Sequence, residues 1–237
     1  RLKHMLTKKY AGKKEEVVRV GWTYIPDENI PQTLYSDPAK WDNAFTQCPA
    51  SVKLQDHTYS LLSPMDLSLK QIRDNNQVLT SIETTKQETR GIDLFEQQFI
   101  VVDHNRFWEK DNIPQFQINM GFLFFADTDI DIFAIPPFFN QNSPTGVDFI
   151  GGTFNIHRWL RPIQIAYKFQ TKKSKFEMKK GDVLSNIMFS KPAKLEYVPW
   201  NDKIDFLLRT TDNITRFTKN TWLNFKNFKI PESYFPE

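Results

Sequence analysis

Over long stretches of the chain apolar and polar residues alternate with a period of two, the spacing of a strand with one buried face. The pattern predicts a first strand within Glu15–Pro26, rich in β-branched and aromatic residues and closed by proline. From residue 52 to 200 it predicts about eleven more. These are Thr58–Leu62, Asp66–Ile72, Gln77–Glu83, Phe95–Asp103, Gln115–Ala126, Asp131–Ile135, Val147–Phe154, Ile163–Gln170, Lys175–Met178, Val183–Phe189 and Leu195–Val198. Turn-forming runs separate several of them: Asp74-Asn75-Asn76, Asn140 to Gly146, and Lys180-Gly181-Asp182. Within Gln115–Ala126 the run Ile118–Phe125 is apolar on both faces, which places this strand in the middle of the fold. Phe122, Phe124 and Trp159 are expected in the core.

The period changes to that of a helix twice. Asp37 and Pro38 form a capping pair ahead of Trp41, Ala44 and Phe45, predicting a short helix that ends before Cys48-Pro49. After Trp200, the residues Ile204, Leu207, Leu208, Thr211, Ile214 and Phe217 share one helical face, with Asn201 or Asp202 as cap. Short strands without intervening helices exclude a parallel α/β sheet. The expected fold is an all-β sandwich or jelly roll with small N- and C-terminal helices. Its expected parts are a basic arm at 1–14, a single β domain at 15–200, and a C-terminal helix and tail at 201–237 packed on that domain.

Composition narrows the function classes. Of 237 residues, 31 are Lys or Arg and 28 Asp or Glu, and a net charge of +3 is too balanced for a dedicated nucleic-acid binder. Aromatic content is high, with 21 Phe, 7 Tyr and 6 Trp, as expected of a packed core. The single cysteine, Cys48, excludes an internal disulfide framework, and with four histidines it leaves little material for a metal site. No apolar run is long enough for a membrane span, and the opening Arg1-Leu2-Lys3-His4 is not the start expected of a secretory signal. Charge is nevertheless regional. Residues 1–24 carry seven bases against two acids, and Lys168–Lys180 six lysines against Glu177, whereas 93–131 holds eight acids against two bases. These regions read as solvated surfaces or as docking surfaces for protein, ahead of contact with nucleic acid. Lys172-Lys173-Ser174-Lys175 is expected at the tip of a hairpin between two strands.

The densest candidate chemistry is Asn155, His157, Arg158 and Arg161, following Gly151-Gly152 and surrounding Trp159. An amide, an imidazole and two guanidiniums beside an indole can bind an anion or a planar ring, or can serve as a structural turn. Asp103 and Asp148 are the carboxylates that would act as base beside such a ligand set. Asp127-Thr128-Asp129-Ile130-Asp131 has the alternating acids of a calcium loop. However, Ile132 stands where the loop needs glycine and Phe138 where it needs glutamate, so an acidic turn is the simpler reading. His4, His57, His104 and His157 include no His-x-Asp or His-x-Glu pair, so iron-oxygenase ligation would need distant residues to converge. No nucleophile elbow or phosphate loop is present, and Cys48, followed by Pro49, has no histidine near it in sequence.

Two resemblances attach to these residues. Gly151-Gly152-Thr153-Phe154-Asn155, Arg161-Pro162-Ile163 and the run from Met178 through Lys180-Gly181-Asp182 to Phe189 resemble the late strands of the dUTPase and dCTP-deaminase β-fold. The Lys-Gly-Asp turn also recurs in cupin-like jelly rolls. The resemblance implies a sugar-binding, water-activating aspartate at position 155. Asparagine stands there, and an amide is no general base. More broadly, Phe107-Trp108-Glu109, Ile135-Pro136-Pro137-Phe138-Phe139, Gly151-Gly152-Thr153-Phe154-Asn155, Trp159-Leu160-Arg161-Pro162-Ile163 and Lys180-Gly181-Asp182 resemble an uncharacterised protein family of tailed phages of marine bacteria. That resemblance implies a virion or host-cytoplasm setting and no particular activity. The expected function is a non-catalytic structural or interaction-forming protein without cofactor, whose partner is protein or a second copy of itself. The alternatives are a β-sandwich enzyme acting on a small molecule or nucleotide, and a metal-dependent jelly-roll oxygenase.

Overall fold

The computed structural model describes residues 16–26, 36–41, 48–74, 77–84, 100–102, 113, 115–138, 144–171 and 173–216. Within them the chain is all-β with two short helices. In chain order the elements are β1 Val18–Tyr24, β2 Ala39–Lys40, α1 Pro49–Gln55, β3 Thr58–Leu62, β4 Leu67–Asp74, β5 Gln77–Thr84 and β6 Ile100–Val102. Then come β7 Gln115–Phe125, β8 Asp131–Ile135, β9 Val147–Ile150, β10 Gly152–Asn155, β11 Pro162–Phe169, β12 Lys175–Met178, β13 Val183–Phe189, β14 Ala193–Tyr197 and α2 Asp202–Arg216.

Three sheets enclose one main core. Sheet A has the order β14-β1-β7-β11-β9, with β6 also on β7. Sheet B runs β10-β8-β13-β3-β2, and sheet C runs β12-β4-β5. All ladders are antiparallel except β1 with β14. The alternation read from the sequence is realised most cleanly in β11, where Ile163, Ile165, Tyr167 and Phe169 are buried and the residues between them half-buried. Sheet A contributes Val20, Phe116, Ile118, Phe122 and Phe124 to the core, sheet B Leu61, Ile132 and Ile187, and sheet C Leu69 and Phe176. Aromatic contacts join sheets A and C: Phe176 of β12 meets the Phe116 ring at 5.3 Å and Tyr167 at 5.2 Å, and within sheet A Phe116 meets Phe169 at 5.0 Å.

β7 is central in sheet A because it is apolar on both faces. Its inward residues line the main core, while Leu123 and Phe125 join Leu160, Val198, Ile204 and Leu207 in a second cluster under α2. The helix is therefore docked on the outside of the sandwich. Asn201 is its cap: the side-chain Oδ1 accepts from the N–H groups of Lys203 at 3.0 Å and Ile204 at 3.1 Å.

Four expectations change. The helix expected at 37–45 is absent over 37–41, where Ala39 and Lys40 instead pair with Ser60 and Tyr59 of β3. There Asp37 accepts the Tyr24 hydroxyl at 2.7 Å instead of capping, and Trp41 is buried against the Phe138 ring at 4.8 Å. Strand pairing and indole burial outweigh a weak local helical pattern. The described helix nearest to it starts later, with Pro49 in its first turn and Cys48 as cap residue. Secondly, Val147–Phe154 is not one strand. At Gly151 it turns from sheet A into sheet B, where a Cβ would lie 3.3 Å from the Ala134 carbonyl oxygen. Thirdly, β11 and β12 form no hairpin, since β11 pairs with β7 and β9 and β12 with β4. Residues 173–174 belong to a crossing between sheets, and Lys172 lies outside the described residues. Finally, Trp159 is half-buried, and its neighbours Ile156 and Leu160 occupy the interior. The arm at 1–14, the tail from 217 and most of the predicted strand Phe95–Asp103 also lie outside the described residues.

Candidate functional site

Asn155 ends β10 opposite Asp131 of β8, and the chain then makes a turn in which the Trp159 N–H donates to the Asn155 carbonyl at 3.0 Å. This places the residues 155–161 beside the acidic segment 127–131, so two features read separately in the sequence are one cluster. The Asn155 amide Nδ2 donates to Asp129 Oδ1 at 3.0 Å and to Asp131 Oδ1 at 2.9 Å, while its Oδ1 accepts from the His157 N–H at 3.1 Å. Arg158 Nε donates to the same Asp129 oxygen at 3.1 Å, a salt bridge open to solvent. Partial burial pushes the Asp129 carboxyl up, but the Asn155 amide and the Arg158 guanidinium outweigh it and hold the group below its ordinary value.

His157 is 5% exposed, and its Nδ1 lies 3.0 Å from the Ala126 carbonyl. A carbonyl only accepts, so Nδ1 carries the proton there. Arg161 lies over aromatic faces, with its guanidinium carbon 4.6 Å from the Trp159 ring centre and 5.5 Å from that of Phe154, and it donates to Gln164 Oε1 at 3.3 Å. From β13's end, the Asp131 N–H donates to Ser190 Oγ at 3.0 Å and Lys191 Nζ donates to the Asp129 carbonyl at 2.8 Å. Sequence reading missed Ser190, Lys191 and the Ala126 carbonyl as members of the cluster. Complementary charge between 127–131 and 155–161 was the one signal that could have joined the halves.

Beside the cluster is a half-open cavity of about 550 Å³, with Glu16, Arg19, Asp127, Thr128, Ser190 and Lys191 among its walls. None of Asn155, His157, Arg158 or Arg161 lines it. Its lining sets two acids, Glu16 and Asp127, against two bases, Arg19 and Lys191, so no excess charge selects an ion. Elsewhere, Asp148 lies on β9 and accepts from Gln170 Nε2 at 3.0 Å, His57 Nδ1 is 3.1 Å from the Phe189 carbonyl, and Cys48 is exposed. Asp103, His4 and His104 lie outside the described residues. Among the described residues no three His, Cys, Asp or Glu side chains are grouped to hold a metal ion, and no helix is long and apolar enough to cross a membrane.

Fold and cluster together define an all-β sandwich with a polar clasp between the 126–131 segment, the 155–161 turn and the 190–191 turn. Comparison with protein-family models, with curated proteins and with solved structures returned no match for the chain.

Proposed function

We propose that the chain is a non-catalytic protein that acts through contacts with protein, as a structural or interaction-forming component of a phage particle. One observation carries this reading: the polar groups of the candidate cluster are turned on one another. Asn155 uses both ends of its amide inside the cluster, His157 is buried against a carbonyl, and Arg158 is paired with Asp129. A reaction centre needs a nucleophile, a base or an oxyanion donor held toward a substrate, and here the groups of suitable chemistry hold loops together. The phage setting rests on the sequence resemblance carried by Phe107-Trp108-Glu109 through Lys180-Gly181-Asp182, and the expected result there is detection of the chain in purified particles by mass spectrometry.

The discriminating experiment is thermal unfolding with and without nucleoside triphosphates. Because a ligand that binds only the folded state raises the midpoint, the interaction reading expects no shift in the wild type. Arg158→Ala should lower the midpoint equally with and without nucleotide. A saturable rise that Arg158→Ala abolishes would transfer the assignment to a nucleotide-binding enzyme.

A further inference from the structure

Residues 147–154 form a continuous rim. β9 is the last strand of sheet A and β10 the last of sheet B, and Gly151 joins them. The ladders fix which backbone groups face outward. The Gln170 N–H donates to the Gly146 carbonyl at 3.1 Å, and in the same register Lys168 is opposite Asp148 and Ala166 opposite Ile150. The amides of Gly146, Asp148 and Ile150 therefore point to β11, and those of Val147 and Phe149 point away from the sheet. On β10 the Ile156 N–H donates to the Ile130 carbonyl at 3.1 Å, so Gly152 and Phe154 face β8 and Thr153 faces outward. Gly151 continues the outward series. Among the described residues no strand pairs with this rim.

Three of the other described rims, those of β14, β12 and β2, are defended. That of β14 is closed over Ala193 and Leu195, where the Ala193 N–H donates to the Asp56 carbonyl and the Tyr59 hydroxyl bridges Ala193 and Leu195. Its flank carries Lys194 and Glu196. β12 carries Lys175 and Glu177, and β2 is two residues long. Short strands, lysines and covered edges are the usual protections against edge pairing. Residues 147–154 contain no Lys, Arg or Pro, and their single charge, Asp148, is bonded to Gln170. Ile150 is 38% exposed on one side of the rim, and Phe149, on the other, is only half-buried.

We infer that this rim is an interaction surface for the same rim of a second copy of the chain, paired antiparallel about a two-fold axis at Phe149 so that sheet A runs on through the dimer. The inference rests on the protein-contact reading above and names its partner. The chemistry of the rim selects the register. With the axis at Phe149, this residue exchanges two N–H···O bonds with Phe149 of the partner subunit, and Val147 does the same with Gly151 of the partner subunit. Asp148 then stands opposite Ile150 of the partner subunit. Moving the axis one residue earlier would set the two Asp148 carboxylates directly against each other, which is destabilising. The two-fold closes the contact, so it yields a dimer and not a fibre.

The test uses charge at the exposed position 150, with circular dichroism confirming the fold of each variant, and reads dimer dissociation by sedimentation velocity of the full chain. Wild type should dimerise reversibly with concentration. Ile150→Asp sets two like-charge pairs against the Asp148 carboxylates, and the dissociation constant should rise roughly tenfold. Ile150→Lys sets opposite charges there and should dimerise at least as tightly as wild type. Asp148→Lys added to Ile150→Asp should restore the dimer. Loss of association in both Ile150→Asp and Ile150→Lys would overturn the register. Association unchanged in all variants would overturn the rim as the interface while leaving the protein-contact reading standing. A wild type that stays monomeric at every concentration would overturn the inference by itself, and protein-contact function would then need a different partner.

Discussion

Single polar side chains in this core differ in how well they are satisfied, and the differences predict opposite mutational outcomes. The Ser60 hydroxyl donates to Asn186 Oδ1 at 2.9 Å across the β3–β13 ladder. Thr58, two residues earlier on the same strand, is fully buried, and among the described residues neither its hydroxyl nor the Asn186 amide nitrogen has a hydrogen-bond partner. A buried hydroxyl without a hydrogen bond costs desolvation free energy and returns nothing. Thr58→Val keeps the branched shape and removes the cost. Urea unfolding should therefore show stability unchanged or raised by about 1 kcal/mol, and a clear loss would mean that the hydroxyl has a role in the folded state. Tyr167 is the contrasting case. Its hydroxyl donates to the Leu184 carbonyl inside the core, so Tyr167→Phe strands a buried acceptor and should cost about 1–3 kcal/mol.

Among the elements, the contact of α2 with the sandwich depends on a glycine in β1, the strand beside β7. Gly21 of β1 lies opposite Phe125 of β7, and a Cβ at Gly21 would run into the Phe125 ring. The missing side chain is what lets that ring join Leu207 and Ile204 beneath the helix. Gly21→Ala should cost about 1–3 kcal/mol through forced repacking, and it should loosen α2 before the rest, seen as earlier loss of helical circular dichroism than of tryptophan fluorescence. Simultaneous loss of both signals would mean that helix and sheet unfold as one unit. The helix start offers a milder test. Asn201→Ala removes the acceptor of the Lys203 and Ile204 N–H groups and should cost about 1 kcal/mol by thermal or urea unfolding.

At the scale of the whole molecule, stability should form a plateau bounded by different groups at acid and alkaline pH. On the acid side, Arg19 holds Glu196 below the ordinary carboxylate value, and Asp129 is also depressed. A depressed carboxyl stabilises the folded state above its unfolded value, near pH 4, and this is lost as pH falls through the folded value. Asp129 is exposed and Glu196 is half-buried at the surface, where salt still screens both, so the acid-side slope should be shallow and weaken with ionic strength. On the alkaline side, burial pushes the hydroxyls of Tyr59 and Tyr167 up. A raised phenol holds its proton in the folded state, so its contribution is complete below the unfolded value near pH 10 and is lost as pH rises beyond it. Urea midpoints should therefore fall above pH 10, and less steeply in Tyr167→Phe. An identical alkaline slope in that variant would assign the loss to other groups.

What the amino-acid sequence determined by itself is the class of the fold and the inner face of its strands. The period of two in Ile163–Phe169 and the double-sided apolar run of β7 each report a side chain's position relative to the core, and such a pattern is local. Asn201 was legible as one of two candidate caps for the same reason, since a cap and its N–H groups lie within one turn. Pairing between distant segments has no comparable signature. Ala39 and Lys40 became strand because β3 offered an edge and Trp41 a burial site. Gly151 divided one apolar run between two sheets, and β11 and β12, adjacent in the chain, went to different sheets. The candidate site was legible only in part: Asn155, His157 and Arg158 were singled out, but their partners Asp129 and Ala126 lie about thirty residues upstream. Which polar group meets which was decided by the tertiary structure alone. Closing a loop between distant residues costs entropy whatever their identity, and the burial that offsets it is shared across the whole core instead of being written at either end.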